Sequence, residues 1–387
     1  MMIIPKGETM KRSFIREILE HTTNETISFA GGLPDEKLFP HLDLRDSAHH
    51  VLGDSRSLQY STTQGYLPLR NKIAQLYTEE GFPTTAAQIM ITSGSQQALD
   101  IIARFHHGES ITIEAPSYLG AMNIFELNQL NTESVTLYSD GIDMEAFERS
   151  FSQTKLAYLI PDYQNPTGYS YTQPKREQLA EIVHMHQGIL IEDAPYSEIY
   201  FHKKHPSISS LLSKQSFHLG SFSKVLAPSL RLGWIRANQR LLEPLIAYKE
   251  TMDLHSNGLS QYILDDYLTD LHRYKSHTKL LRKMYAKKKQ VFSTYLDEML
   301  PEFAYNSPQG GMFIYGRLPE IDASALLQTC LKRGVIFVPG NVFYSTPQGK
   351  DEIRFNFTNA SAREVYRGLK IIAAVYREML EKLADAA

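Results

Sequence analysis

Cysteine is nearly missing from this 387-residue chain: Cys330 is the only one, so no disulfide closes within it. A lone thiol fits a reducing compartment such as the cytoplasm. Long apolar runs are missing too; no stretch approaches the roughly 18 residues that a membrane-crossing helix needs. The opening "MMIIPKGETMKRSF" lacks the apolar core and small-residue cleavage site of a secretory leader. Charge of one sign is not in excess, since 40 Lys and Arg against 43 Asp and Glu leave a net charge of −3. Bulk electrostatics therefore gives no reason to expect nucleic acid or an anionic membrane as a partner. Histidines number 14, but "HMHQ" and the two HH pairs have no carboxylate or cysteine at a zinc-site spacing. No metal is expected.

What is present describes an ordinary globular protein, 42% hydrophobic and 21% charged, with enough apolar residues for a core. At about 100–200 residues per domain, the length suggests two or three domains. Short apolar runs read as strands: "IMITSG", "SITIEAP", "LAYLIPD", "GILIEDAP" and "SFHLGS". Helical segments such as "EQLAEIVHMHQ" separate them. Strands alternating with helices imply βαβ units, hence an α/β fold with a mostly parallel central sheet and helices on both faces. The N-terminal "FIREILEH" has helical spacing and runs into a Gly-Gly-Leu-Pro turn. Long helices are expected over residues 245–290. Beyond about residue 300, "GGMFIYGRL", "GVIFVPG" and "DEIRFNFTN" read as strands of a second, smaller α+β domain.

In open parallel sheets, ligands bind beyond the carboxyl ends of the strands. The first strand delivers "SGSQQ", small residues and a helix start that suit a phosphate. The next deliver "EAPSYLG" with Tyr118, "PDYQNPTG" with Asn165, and "EDAPYSE" with Asp193 and Tyr196. The fifth delivers "GSFSKVLAPSLRLGW", with Ser221, Ser223, Lys224 and Arg231. An anion cradle, an aromatic face, a carboxylate, phenol and amide donors, and a lysine would hold a planar, phosphorylated, protonatable heterocycle that carries an aldehyde. Lysine suits imine chemistry because burial and neighbouring cations depress its pKa.

These motifs resemble the site motifs of the fold type I pyridoxal-phosphate (PLP) aminotransferases, in the branch of 2-aminoadipate and kynurenine aminotransferases. "SFSKVLAPSLRLGW", "NPTG", "EDAPYSE" and "SGSQQAL" carry the match, and "ISFAGGLPDEKLFP" and "LQYSTTQGY" are similar to segments of that branch. The resemblance runs over roughly residues 13–375. It implies that Lys224 carries the PLP aldehyde as an imine and that Asp193 pairs with the ring nitrogen. Asn165 and Tyr196 would bond the ring's phenolic oxygen, and Tyr118 would stack on the ring. Ser95, Gln96, Ser221 and Arg231 would hold the phosphate, with Ser223 beside them. Tyr60 resembles a tyrosine that reaches the phosphate from a neighbouring subunit, which implies a homodimer. Arg354, in "EIRFNF", would bind the substrate α-carboxylate as a bidentate fork. Arg16 would meet an acidic substrate side chain, or else pair with Glu17 or Glu20 on its own helix. Leu33 and Tyr66 are expected beside the substrate pocket. The large PLP-binding domain would span residues 45–290, and residues 1–44 with 291–387 would form the small domain. The expected reaction moves an amino group from an L-amino acid to a 2-oxo acid such as 2-oxoglutarate, by a ping-pong mechanism.

Each residue also has a plainer reading. Asp193 suits a helix N-cap, Tyr118 and Tyr196 suit a core, Asn165–Gly168 suits a β-turn, and Arg354 suits a surface ion pair. Ser221-Phe-Ser-Lys224 also fits S-x-x-K, a serine-nucleophile motif. No K-T-G element accompanies it, and the motif falls too late in the chain. Some bacterial regulators carry an aminotransferase-like effector-sensing domain, but the family-like segment begins near residue 13, leaving no space ahead for a winged helix. A PLP-dependent lyase that performs β-elimination stays open on sequence alone.

Overall fold

The computed structural model describes Ile18, Thr23 and residues 25–386. Arg16 lies outside the described residues. Eight strands form the large sheet: β2 (Ile89–Thr92), β3 (Ser110–Ala115), β4 (Asn131–Tyr138), β5 (Gly141–Ile142), β6 (Leu156–Leu159), β7 (Ile189–Asp193), β8 (Ser216–Ser221) and β9 (Gly233–Ala237). Their order is β2-β9-β8-β7-β6-β3-β4-β5. The central pairs, from β8 to β4, are parallel. Strand β9 runs antiparallel between β8 and β2. Every residue of β2, β6 and β8 is buried, as expected of strands covered by helices on both faces.

The β8–β9 pair explains one glycine. A Cβ at Gly220 would lie 2.1 Å from the Trp234 ring on the neighbouring strand, so only glycine lets the indole cross there. That places Trp234 against Phe222, two residues before Lys224.

A second sheet of β10 (Ala304–Tyr305), β11 (Phe313–Arg317), β14 (Glu352–Asn356) and β13 (Val338–Pro339) is antiparallel throughout. The run "GVIFVPG" does not form one strand. It divides into β12 (Val335–Ile336), which pairs in parallel with β1 (Ile27–Ser28), and β13, which pairs with β14. Strand β1 has no local signature, because two residues carry no readable period. The pairing ties the N-terminal segment to the C-terminal sheet, and Asn356 N–H reinforces it by donating to the Phe29 carbonyl at 2.8 Å. Phe29, Phe292 and Phe355 meet there edge-on or tilted, with centroids 5.2–6.1 Å apart. The C-terminal helix Ala362–Ala386 packs on β1, β12 and the long helix Leu271–Met299, whose Phe292 meets Phe355 of β14. Among the described residues no helix is long and apolar enough to cross a membrane.

Candidate active site

The strand ends of the large sheet open into a cleft of about 1530 Å³. Its walls include Ser95, Gln96, Tyr118, Asn165, Asp193 and Tyr196. Ser221, Ser223, Lys224, Arg231 and Arg354 line it as well. Leu33 also lines it, whereas Tyr66 stacks on Tyr262 with ring centroids 4.0 Å apart and is not on the wall. Tyr60 is 79% exposed, lies edge-on to His255, and is not on the wall of this single chain either.

At the floor of the cleft, Asp193 ends β7. Its Oδ2 accepts from the Tyr158 hydroxyl at 2.9 Å, while Oδ1 is buried with no partner. Burial pushes the carboxyl up to about 7, against the Tyr158 hydrogen bond and the Lys224 charge, which both act to lower it. The N-cap reading of Asp193 is therefore not what the structure shows. A buried oxygen left unpaired beside an open cleft is the acceptor that a protonated ring nitrogen requires.

Lys224 follows β8 by three residues, and its Nζ donates to the Gly32 carbonyl at 2.8 Å. The Gly-Gly-Leu-Pro turn thus passes directly over the lysine. Gly32 suits this place, since a Cβ there would sit 3.3 Å from the Phe313 ring.

Arg354 lies in β14 and is 1% exposed, so it is not a surface ion pair. One Nη donates to Asn165 Oδ1 at 2.6 Å and the other to the Ala30 carbonyl. Its guanidinium lies over the rings of Phe313 and Phe343, 4.4 and 5.0 Å from their centroids. Nε is buried without a partner, and burial pulls the group down to about 10. A cation held by neutral oxygens and aromatic faces keeps its attraction for a carboxylate that enters later. Tyr196 hydrogen-bonds to Asn165, packs edge-on to Phe313, and burial raises its phenol.

The phosphate-binding candidates lie at the other end. The helix Ser95–Phe105 begins at Ser95 after Gly94, which takes φ +80° and offers no side-chain cap. Its first N–H groups therefore remain available to an anion. Arg231 adopts φ +52° and donates to the Ser93 carbonyl at 3.1 Å. A Cβ at Gly94 would lie 2.7 Å from the Arg231 guanidinium, and one at Gly233 would lie 2.8 Å from Ser95 N. Two glycines thus keep this cradle open. Ser221 Oγ accepts from Ser223 N–H at 3.1 Å, folding the "SFSK" turn back toward the strand end. Among the described residues no cluster that would hold a metal occurs.

Sequence reasoning missed several contributors. Tyr158 left a faint sign, a hydroxyl inside the apolar run "LAYLI". The carbonyls of Ala30 and Gly32 left none, because a main-chain acceptor looks the same in every residue. Phe313 and Phe343 read only as core.

The residues present fit PLP: an orphan carboxylate oxygen for the ring nitrogen, a lysine for the aldehyde, and an uncapped helix start with an arginine for the phosphate. Comparison with known proteins agrees. Residues 33–372 match the model of the family described as aminotransferase class I and II. Aromatic-amino-acid aminotransferase 1 of Thermococcus litoralis is 33% identical, over 97% of this chain and 94% of its own. The 2-aminoadipate transaminase of Thermus thermophilus is also 33% identical, over 96% and 95%. The structure of Pyrococcus horikoshii kynurenine aminotransferase, solved with PMP, superposes with a TM-score of 0.90 at 32% identity, covering 96% of each chain. These relatives are transaminases, so the elimination reading is not favoured. The chain belongs to the class I and II aminotransferases and is a PLP-dependent transaminase of fold type I.

Proposed function

We propose that the protein transfers the amino group of an aromatic L-amino acid, kynurenine or 2-aminoadipate to a 2-oxo acid such as 2-oxoglutarate. The donors are those named for its relatives. The observation that carries the assignment of roles is the convergence of Asp193, Lys224 and Arg354 on one cleft, each built to meet a different part of a bound amino acid or cofactor.

PLP, when bound, supplies a protonated ring that draws electrons away from the reacting carbon. Asp193 Oδ1 holds the ring-nitrogen proton, which requires its charged form. Tyr158 fixes the other oxygen and so aims the free one. Asn165 and Tyr196 would bond the ring's phenolic oxygen, and Tyr118 would lie against the ring. Ser95, Gln96, Ser221 and Arg231, with Ser223 beside them, hold the phosphate. Arg354 orients the substrate by its α-carboxylate, which takes the place of the neutral acceptors now on the guanidinium. Lys224, which would hold the aldehyde, would also be the group that takes and returns the proton of the substrate's Cα. The Gly32 carbonyl holds Nζ in place.

The same reading has Tyr60 reach a neighbouring subunit's phosphate in a cytoplasmic homodimer, with a large domain of residues 45–290. A panel of amino acids, scored by conversion of the bound cofactor to its amine form, tests the function. Conversion by aromatic donors or 2-aminoadipate supports it; release of ammonia and pyruvate without conversion would replace it with elimination.

A further inference from the structure

One buried carboxylate has no part in the chemistry above. Glu114, in β3, is fully buried and is bonded to Gln164, the residue before Asn165. Its three donors are neutral. Oε1 accepts from Tyr171 Oη at 2.9 Å and Ile160 N–H at 3.2 Å, and Oε2 accepts from Gln164 Nε2 at 3.1 Å. No lysine or arginine among the described residues makes an ion pair with it. Burial, together with the nearby Asp193 charge, pushes the carboxyl up to about 7 despite those donors. An ion placed this way is costly to the fold and calls for a reason.

The reason is visible in Gln164, which is also fully buried. Its Nε2 bridges Glu114 to the Pro116 carbonyl at 2.8 Å. Its Oε1 accepts from both Thr167 N–H and Thr167 Oγ1, at 2.9 and 2.8 Å. The amide therefore joins two strand exits. Pro116 stands two residues before Tyr118, and Gln164 and Thr167 flank Asn165. The Asn165–Gly168 turn needs such an anchor, since Tyr163 enters it at φ +50° and Gly168 leaves it at φ +71°. Glu114 also decides which way the amide points. Once ionised, above its raised pKa of about 7, the carboxylate only accepts, so it faces the NH₂ of Gln164 and turns Oε1 toward Thr167.

The geometry points to Glu114 as a positioning residue that, through Gln164, holds Tyr118 and Asn165 in register on the cofactor ring. Glu114→Gln keeps the size but turns one acceptor into an NH₂, which must face a donor either way, Gln164 Nε2 or the Ile160 N–H. Two donors cannot pair, so either Gln164 lets go of Thr167 or Pro116, or Ile160 at the exit of β6 loses its anchor. The inference rests on PLP binding in this cleft, so the test reads PLP itself.

Apoenzyme is titrated with PLP at pH 8, with binding followed by absorbance. E114Q and Q164A are each expected to weaken PLP binding about tenfold and to displace the visible band of the bound cofactor. The double variant should also be about tenfold weaker, not a hundredfold, because both changes break one link. A displaced band in folded protein is not an effect of lower stability alone. Wild-type affinity with an unmoved band in either single variant, or a hundredfold loss in the double, would overturn the inference. Should E114Q not fold, Q164A decides: about tenfold weaker binding supports the link, and unchanged binding overturns it. Failure of the unaltered protein to bind PLP would overturn the functional reading, and this inference with it.

Discussion

At the floor of the cleft, Asp193, Asn165, Tyr196 and Arg354 are buried and held by named partners within one chain. At its mouth, Gln96 and Arg231 are exposed, and Tyr60 stands clear of the wall altogether. The floor fixes its polar groups before any ligand arrives, and the chain bears the cost as a carboxylate and a guanidinium kept in low dielectric. The mouth spends little stability and relies on a helix start, one arginine and surfaces open to a further contributor. The floor is thus complete within a single chain, whereas the mouth is left open, and on the proposed reading Tyr60 of a neighbouring subunit would complete it.

That contrast orders the expected effects. Lys224→Ala, at the centre of the chemistry, should lower kcat by about a thousandfold or more, measured with excess PLP. Turnover within tenfold of wild type would remove Lys224 as the proton carrier. Asp193→Asn should lower kcat on the order of a hundredfold, since an amide cannot keep the ring nitrogen charged.

Asp193→Asn also tests the cost of the floor. The native carboxyl is raised from 3.8 to about 7, so its neutral form favours the folded state. That stabilisation is complete below 3.8 and is lost as pH rises through about 7. Apo D193N should therefore match the wild type near pH 3.5 and exceed it by roughly 2–4 kcal/mol at pH 8, read by denaturant unfolding. A difference that does not change with pH would show that the floor carries no buried charge.

Arg354→Lys should raise KM about tenfold for every amino acid while changing kcat less, because a single ammonium cannot reproduce the fork. An unchanged KM would move carboxylate binding elsewhere. The smallest effect belongs to the mouth: Tyr60→Phe should weaken PLP binding only about three- to tenfold, by equilibrium dialysis of the apoenzyme. A larger loss there than in D193N would invert the comparison.

The sequence was most legible where a chemical group had to appear at a strand end. Lys224, Asp193, Asn165 and Arg354 are side chains of unusual chemistry after apolar runs, and all four line the cleft. The parallel centre of the sheet followed from the alternation of strands and helices. What could not be read was held by main-chain atoms or by long-range pairing. Strand β1 exists only because Val335–Ile336 lies beside it, some three hundred residues further along the chain. The Ala30 and Gly32 carbonyls that hold Arg354 and Lys224 belong to a turn legible as a turn but not as a partner. Glu114 read as the end of a strand, since nothing local shows that Gln164 and Tyr171 converge on it.

The central claim is that this cleft holds PLP with its aldehyde on Lys224. Borohydride reduction of the PLP-loaded protein, followed by peptide mass mapping, tests it most directly. A single pyridoxyl group is expected on the peptide containing Lys224, and none in the Lys224→Ala variant. A pyridoxyl group on a different lysine in the unaltered protein, or no adduct at all, would contradict it.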